Sequence, residues 1–174
     1  MKLGETLAGR YELLSTLGRG SSGEVFAARD LRSRRPVAVK VFDSASVDRF
    51  SAMNKVLQAA SQVVHPAVSL PRVQVSLLGE TPFVVGDLIV GEDLAALAKR
   101  GPLPWQRALD IALACSEGLA ALAATGSAHR ALKPGNVRIA SEGSVHVLDF
   151  GVAELGALPT QPRADGSIVE YRAP

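Results

Sequence analysis

Three glycines between two β-prone runs constrain this chain most. Gly18, Gly20 and Gly23 lie in Gly18-Arg19-Gly20-Ser21-Ser22-Gly23-Glu24-Val25, flanked by strand-like residues at 11–17 and 24–29. Glycines so spaced let backbone amides come close to phosphate oxygens. A dinucleotide-binding fold places such a loop between a strand and a helix, so a loop between two strands speaks against that fold. Alone, the pattern equally fits a flexible hairpin turn. The next run, 36–42, alternates: Val37, Val39 and Val41 face one way, Ala38 and Lys40 the other. Together these runs predict an antiparallel sheet with a glycine-rich first hairpin.

A helix follows. Val47, Phe50, Met53, Leu57, Ala60 and Val64 recur at helical steps and mark one apolar face, which Pro66 ends. Residues 72–78 and 82–90 are strand-like, and Gly91 marks a hinge between two lobes. Beyond it come a helix near 92–99, a break at Gly101-Pro102, and a long helix over 104–124. Pro104 suits that helix's first residue and Gly126 its C-terminal cap. Two short strands, 137–140 and 145–148, enclose a turn at 141–144. The Gly-, Pro- and Ala-rich tail 151–174 reads as an extended loop.

Composition narrows the function. Hydrophobic residues make up 47% and charged residues 21%, as in an ordinary globular chain. Net charge is only +2, and Arg29, Arg32, Arg34 and Arg35 have no aromatic residues among them, so they read as a solvated turn and not a nucleic-acid site. The lone Cys115 sits in an apolar helical run and reads as a small core residue, with neither a disulfide nor a zinc cluster available. The N-terminus lacks the apolar core of a signal peptide. Asp110 and Glu117 interrupt the best apolar run, so no membrane span is expected and a soluble, cytoplasmic protein is.

Further motifs extend the first. Val37-Ala38-Val39-Lys40 follows the glycine loop; then come His129-Arg130-Ala131-Leu132-Lys133-Pro134-Gly135-Asn136 and Asp149-Phe150-Gly151. The chain ends in Tyr171-Arg172-Ala173-Pro174. In this order they resemble the protein kinase family, most closely its bacterial serine/threonine type, over residues 11–174: the strand lysine, H-R-D-L-x-x-x-N, D-F-G and the approach to A-P-E. The resemblance implies an α+β, bilobal kinase-like fold. A small lobe, 1–90, holds an antiparallel sheet and one helix, and a truncated helical lobe, 91–174, ends at the activation segment. It also implies the remnant of an ATP site. Gly18, Gly20, Gly23, Val25, Ala38 and Lys40 would surround the nucleotide, Asp87 and Ile89 would supply backbone contacts, and Asn136 and Asp149 would be the magnesium ligands.

The sequence departs from the family pattern in several places. Ala131 stands where the family has its catalytic aspartate, with His129, Arg130 and Lys133 kept around it. Alanine can neither orient a substrate hydroxyl nor take its proton, and a positioned base contributes about 10²–10⁴-fold in rate. The helix glutamate that pairs with the strand lysine falls at Val56. The only acid between Ser44 and Gly79 is Asp48, suited to the helix dipole, which leaves Asp149 as the partner for Lys40. Arg138 replaces the apolar floor beneath the base, and Gly86 a larger residue before the hinge. An arginine there fills the pocket, stacks on a base, or by a register shift points outward; filling is the expected outcome.

The family's later helices have no counterpart before Pro174, while Trp105, Leu109, Leu113, Leu119 and Leu122 help make the helix over 104–124 apolar around most of its circumference. Exposed apolar area in that lobe is therefore expected. These departures together predict a pseudokinase and not an enzyme: a regulatory, protein-interaction module that requires no cofactor, with ATP and magnesium as an optional ligand. Its partner would be a protein, an active kinase among the candidates, in a homodimer or hetero-complex through the apolar surface. The alternative is an atypical kinase or ATP-binding switch using Lys40, Asn136 and Asp149. Thr160 and Ser167 are candidate phosphorylation sites.

Overall fold

The computed structural model describes residues 2–20, 23–42, 47–71 and 83–155. Five strands, β1 (Thr6–Leu7), β2 (Tyr11–Gly20), β3 (Gly23–Asp30), β4 (Pro36–Phe42) and β5 (Phe83–Asp87), form one sheet in sequence order, each pairing antiparallel. The alternation on β4 decides its faces. Val39 and Val41 are buried with Leu13, Phe26, Ala28, Phe83 and Val85 in one apolar cluster, each large side chain contributing about 1.5–3 kcal/mol of burial. Ala38 and Lys40 take the other face. Register aligns Val25, Lys40 and Val84 in one cross-strand row and Ala27, Ala38 and Gly86 in the next. Gly23 closes the first hairpin against β4: its φ is +143°, and a Cβ there would lie 2.0 Å from the Val41 carbonyl oxygen.

The arginine-rich turn between β3 and β4 is organised by Asp30. Arg10 donates Nε and NH2 to its two carboxylate oxygens at 2.8 and 2.7 Å, and the Ser33 hydroxyl and Arg32 amide add 2.9 and 3.0 Å bonds. The Arg10 hydrogen bonds hold the Asp30 carboxyl well below the usual range.

Helix α1 (Val47–Ala59) packs Phe50, Met53 and Leu57 with Phe42, Val84, Leu122 and Phe150. It ends at Ala59, before the expected stop at Pro66. Ser61 closes a turn there, its amide and hydroxyl both bonding the Gln58 carbonyl at 3.1 and 2.7 Å. Val64, read as part of the apolar face, is 97% exposed as a result.

A second antiparallel sheet orders β6 (Gly91–Asp93), β7 (Val137–Ala140) and β8 (Val145–Val147). The helix expected near 92 starts later, as α2 (Leu94–Lys99), because Asp93 ends β6 and caps the helix by accepting the Ala96 amide at 2.8 Å. Helix α3 (Trp105–Ala123) lays Ile111 and Cys115 on Val137, Val145 and Val147. The segment after α1 reaches this second sheet: Val68 bridges Val147, with the Ser69 amide on the Val147 carbonyl at 3.1 Å. The expected strand at 72–78, Thr160, Ser167 and the motif at 171–174 lie outside the described residues.

Among the described residues no helix is long and apolar enough to cross a membrane. The outer face of α3 stays open, with Trp105 70%, Leu109 59% and Leu113 56% exposed. Beside them an apolar groove of about 580 Å³ runs between α2, α3 and residues 132–137.

Candidate functional site

A cavity of about 400 Å³ opens between the two sheets, within the range of small-molecule sites. Gly18, Gly23, Val25, Ala38, Lys40 and Asp87 line it from the first sheet, Ile89 from the connection that follows, and Lys133, Asn136 and Asp149 from the segments flanking the second. The sequence-selected residues thus converge, with three exceptions among those whose surroundings are described: His129, Arg130 and Ala131 lie outside the wall.

Lys40 meets Asp149 directly, Nζ to Oδ2 at 2.6 Å, with the two side chains 11% and 28% exposed. Its register on β4 aims it into the cleft, and the Phe42 ring lies 5.7 Å from the ammonium. At position 56, where the resemblance places the helix glutamate, Val56 packs against the apolar core and offers no carboxylate. Asp149 holds a φ of +63° and Arg130 one of +55°. Such backbone costs a non-glycine residue about 1–2 kcal/mol and persists only where its surroundings enforce it.

The surroundings are hydrogen bonds. The Ala131 amide bonds the His129 carbonyl at 2.7 Å, and the Asn136 side-chain amide donates to the Ala131 carbonyl at 2.8 Å. Leu148 donates its amide to the Asn136 carbonyl at 2.8 Å. His129 is buried, its Nε2 2.8 Å from the Leu148 carbonyl and its Nδ1 3.3 Å from the Ala131 amide. That pairing fits a neutral ring protonated on Nε2. Burial pushes the imidazole below its ordinary value, against the opposing Leu148 bond and Asp149 charge. Beneath the loop, Phe150 is 1% exposed and meets His129 edge-on at 6.1 Å. Position 131 is therefore fixed through its backbone, and the loop keeps its shape without a carboxylate.

Arg138 does line the cavity, so it does not point outward. Filling of the pocket is corrected: an Arg138 NH2 turns back to the Gly91 carbonyl at 2.7 Å, and the cavity stays open. Gly86 also lines it, and a Cβ there would stand 3.8 Å from the Pro71 Cα.

Sequence reasoning missed Leu17, Ser69, Pro71, Val84, Asp93 and Leu148, which also line the cleft. Val84 follows from Lys40 once the β4–β5 register is known. Ser69 and Pro71 arrive through the Val68–Val147 bridge, for which the sequence carries no signal.

As for a metal, Asn136 and Asp149 offer oxygen donors in one cavity beside Lys40 and Lys133. Two oxygen ligands, completed by phosphates and water, suit magnesium, so these residues fit the ion the resemblance implies.

Comparison with known proteins adds the following. The protein kinase domain family matches residues 11–174. Serine/threonine-protein kinase PknA of Mycobacterium tuberculosis is 34% identical over 186 residues, covering 99% of this chain and 42% of that protein. A probable serine/threonine-protein kinase of Streptomyces coelicolor is 35% identical, covering 97% of this chain and 27% of its own length. The crystal structure of the M. tuberculosis PknI kinase domain superposes with a TM-score of 0.76 at 25% identity, over 96% of this chain and 68% of that one. The chain spans less than half the length of these two sequence relatives. Their names overturn the expectation of a non-enzyme, because relatives called serine/threonine-protein kinases point to an enzyme. Physically, a base is one contribution to phosphoryl transfer, which rests mainly on positioning and charge neutralisation.

Proposed function

The chain belongs to the protein kinase domain family, and from that premise we propose that its cleft binds ATP with magnesium and that the protein acts as an atypical kinase. The observation that carries this reading is the Lys40–Asp149 pair at 2.6 Å, in a cavity shared with Gly18, Gly23, Lys133 and Asn136. Lys40 donates to phosphate oxygens, and the glycine hairpin brings backbone close to them. Asn136 and Asp149 would hold magnesium, which supplies charge neutralisation on the phosphates when bound. Lys133 adds a further cation on the same wall. The acceptor hydroxyl finds no carboxylate at Ala131, so its proton leaves to water or to the phosphate itself. Transfer is slower by about 10²–10⁴-fold than with a positioned base, while positioning and electrostatic contributions remain.

The open face of α3 supports an additional role in association. Trp105, Leu109 and Leu113 are 70%, 59% and 56% exposed beside an apolar groove, and a second copy of the chain is the occupant proposed. Light scattering on the purified chain would then give a dimer mass, and a monomer at all concentrations would reject it.

The nucleotide reading is tested by thermal unfolding with millimolar ATP and magnesium. A bound ligand raises the melting temperature, by about 2.7 kcal/mol of added stability at a hundredfold excess over Kd. An unchanged melting temperature, together with no transfer of a labelled γ-phosphate, would reject it.

A further inference from the structure

The base end of the cleft has a floor of unusual chemistry. Arg138 lies on β7, in register with Asp93 on β6 and His146 on β8. Val25 and Ala38 line the same cavity from the first sheet. A flat ring held between the sheets would therefore have alkyl groups on one side and a guanidinium on the other.

That guanidinium is poorly answered. Its bond to the Gly91 carbonyl, at 2.7 Å, uses one NH2. Its Nε is buried and, among the described residues, has no hydrogen-bond partner. Asp93, across the strand pair, already accepts the Ala96 amide, and among the described residues Arg138 forms no ion pair. Covering the remaining exposed part of this cation with the face of a neutral base removes its water and returns no acceptor, because a base's ring nitrogens and carbonyl oxygens accept in the ring plane. The cost of a desolvated, unpaired charge exceeds what stacking on a ring gives back. Lys40 and Asp149 pair with each other while Arg138 bonds the Gly91 carbonyl, so the phosphate end keeps its own contacts.

We infer that Arg138 is the specificity-determining residue of this cleft: it weakens the hold on the nucleobase, so the site selects polyphosphate-bearing ligands with little discrimination among bases. This inference rests on the nucleotide reading above and deepens it.

Isothermal titration of magnesium-ATP, magnesium-GTP and magnesium-tripolyphosphate into wild type, Arg138→Leu and Arg138→Lys tests it. The wild type should bind the three within about tenfold of one another, a spread of about 1.4 kcal/mol. Arg138→Leu should bind ATP about tenfold tighter and tripolyphosphate unchanged, while Arg138→Lys, which keeps the charge, should stay like wild type. Weaker ATP binding by Arg138→Leu would overturn the inference, because the arginine would then be stacking favourably. Equal tightening of ATP and tripolyphosphate, or tightening by Arg138→Lys as well, would overturn it too. If wild type and variants bind none of the three, the nucleotide reading itself falls. Melting temperatures without ligand confirm that each variant is folded.

Discussion

At one end of the cleft Lys40 lies 2.6 Å from Asp149, and Asn136, His129 and Leu148 bond the loop backbone around Ala131. At the other end Gly86 leaves space before Pro71, and the Arg138 Nε is buried without a partner. At the phosphate end hydrogen bonds hold the backbone at 131, 136 and 148, so replacing the side chain at 131 leaves the geometry in place. The base end relies on the bulk and polarity of single side chains, and each substitution there changes the chemistry directly. A loop can thus lose a reacting group while keeping its form, whereas a pocket wall cannot change its residue and keep its selectivity.

The largest effect that would sharpen this contrast is on rate. Ala131→Asp should raise phosphoryl transfer by about 10²–10⁴-fold and leave ATP affinity unchanged, since the backbone at 131 is already held. A change in affinity without a change in rate would break the separation of shape from chemistry. Next is stability: Phe150 is 1% exposed in the cluster that joins α1 to the loop. Phe150→Ala should cost about 3–5 kcal/mol in urea unfolding, and a cost below about 1 kcal/mol would show that the phosphate end is not anchored there.

Lys40→Met should abolish most of the ATP-induced rise in melting temperature, and a full rise in that variant would place the binding energy at the base end instead. The smallest effect is on pH dependence. Burial holds the folded His129 below its ordinary value of 6.5. The unfolded chain therefore takes up a proton that the folded chain refuses. Stability contributed by neutral His129 is complete above about pH 6.5 and declines as pH falls from there toward the lower folded value. Wild type should lose melting temperature over that interval more steeply than His129→Gln, and parallel curves would contradict the assignment.

Much of this was legible in the sequence because it is periodic or local. The alternation of Val37, Val39 and Val41 placed Lys40 on the cleft face, and the scarcity of acids between Ser44 and Gly79 left Asp149 as its partner. The glycine pattern between strands gave the right hairpin. Other features depend on pairing across the fold and were not legible. Val64 fits the helical period, yet the turn at Ser61 ends the helix first. The motif spacing puts Arg138 at the cleft, which it lines, but its tether to Gly91 arises from the β6–β7 pairing, which no local pattern encodes. His129 is visible in the sequence as a motif residue. Its burial, and its two hydrogen bonds, to the Leu148 carbonyl and from the Ala131 amide, follow only from the way the second sheet brings 129 under 148.

Calorimetric titration of magnesium-ATP into wild type and Asp149→Asn measures most directly whether the phosphate end of this cleft holds a nucleotide. Wild type should show one saturable site, weakened at least about tenfold in the variant. Absence of saturable binding in wild type at millimolar ATP, or equal affinity in both proteins, would contradict it.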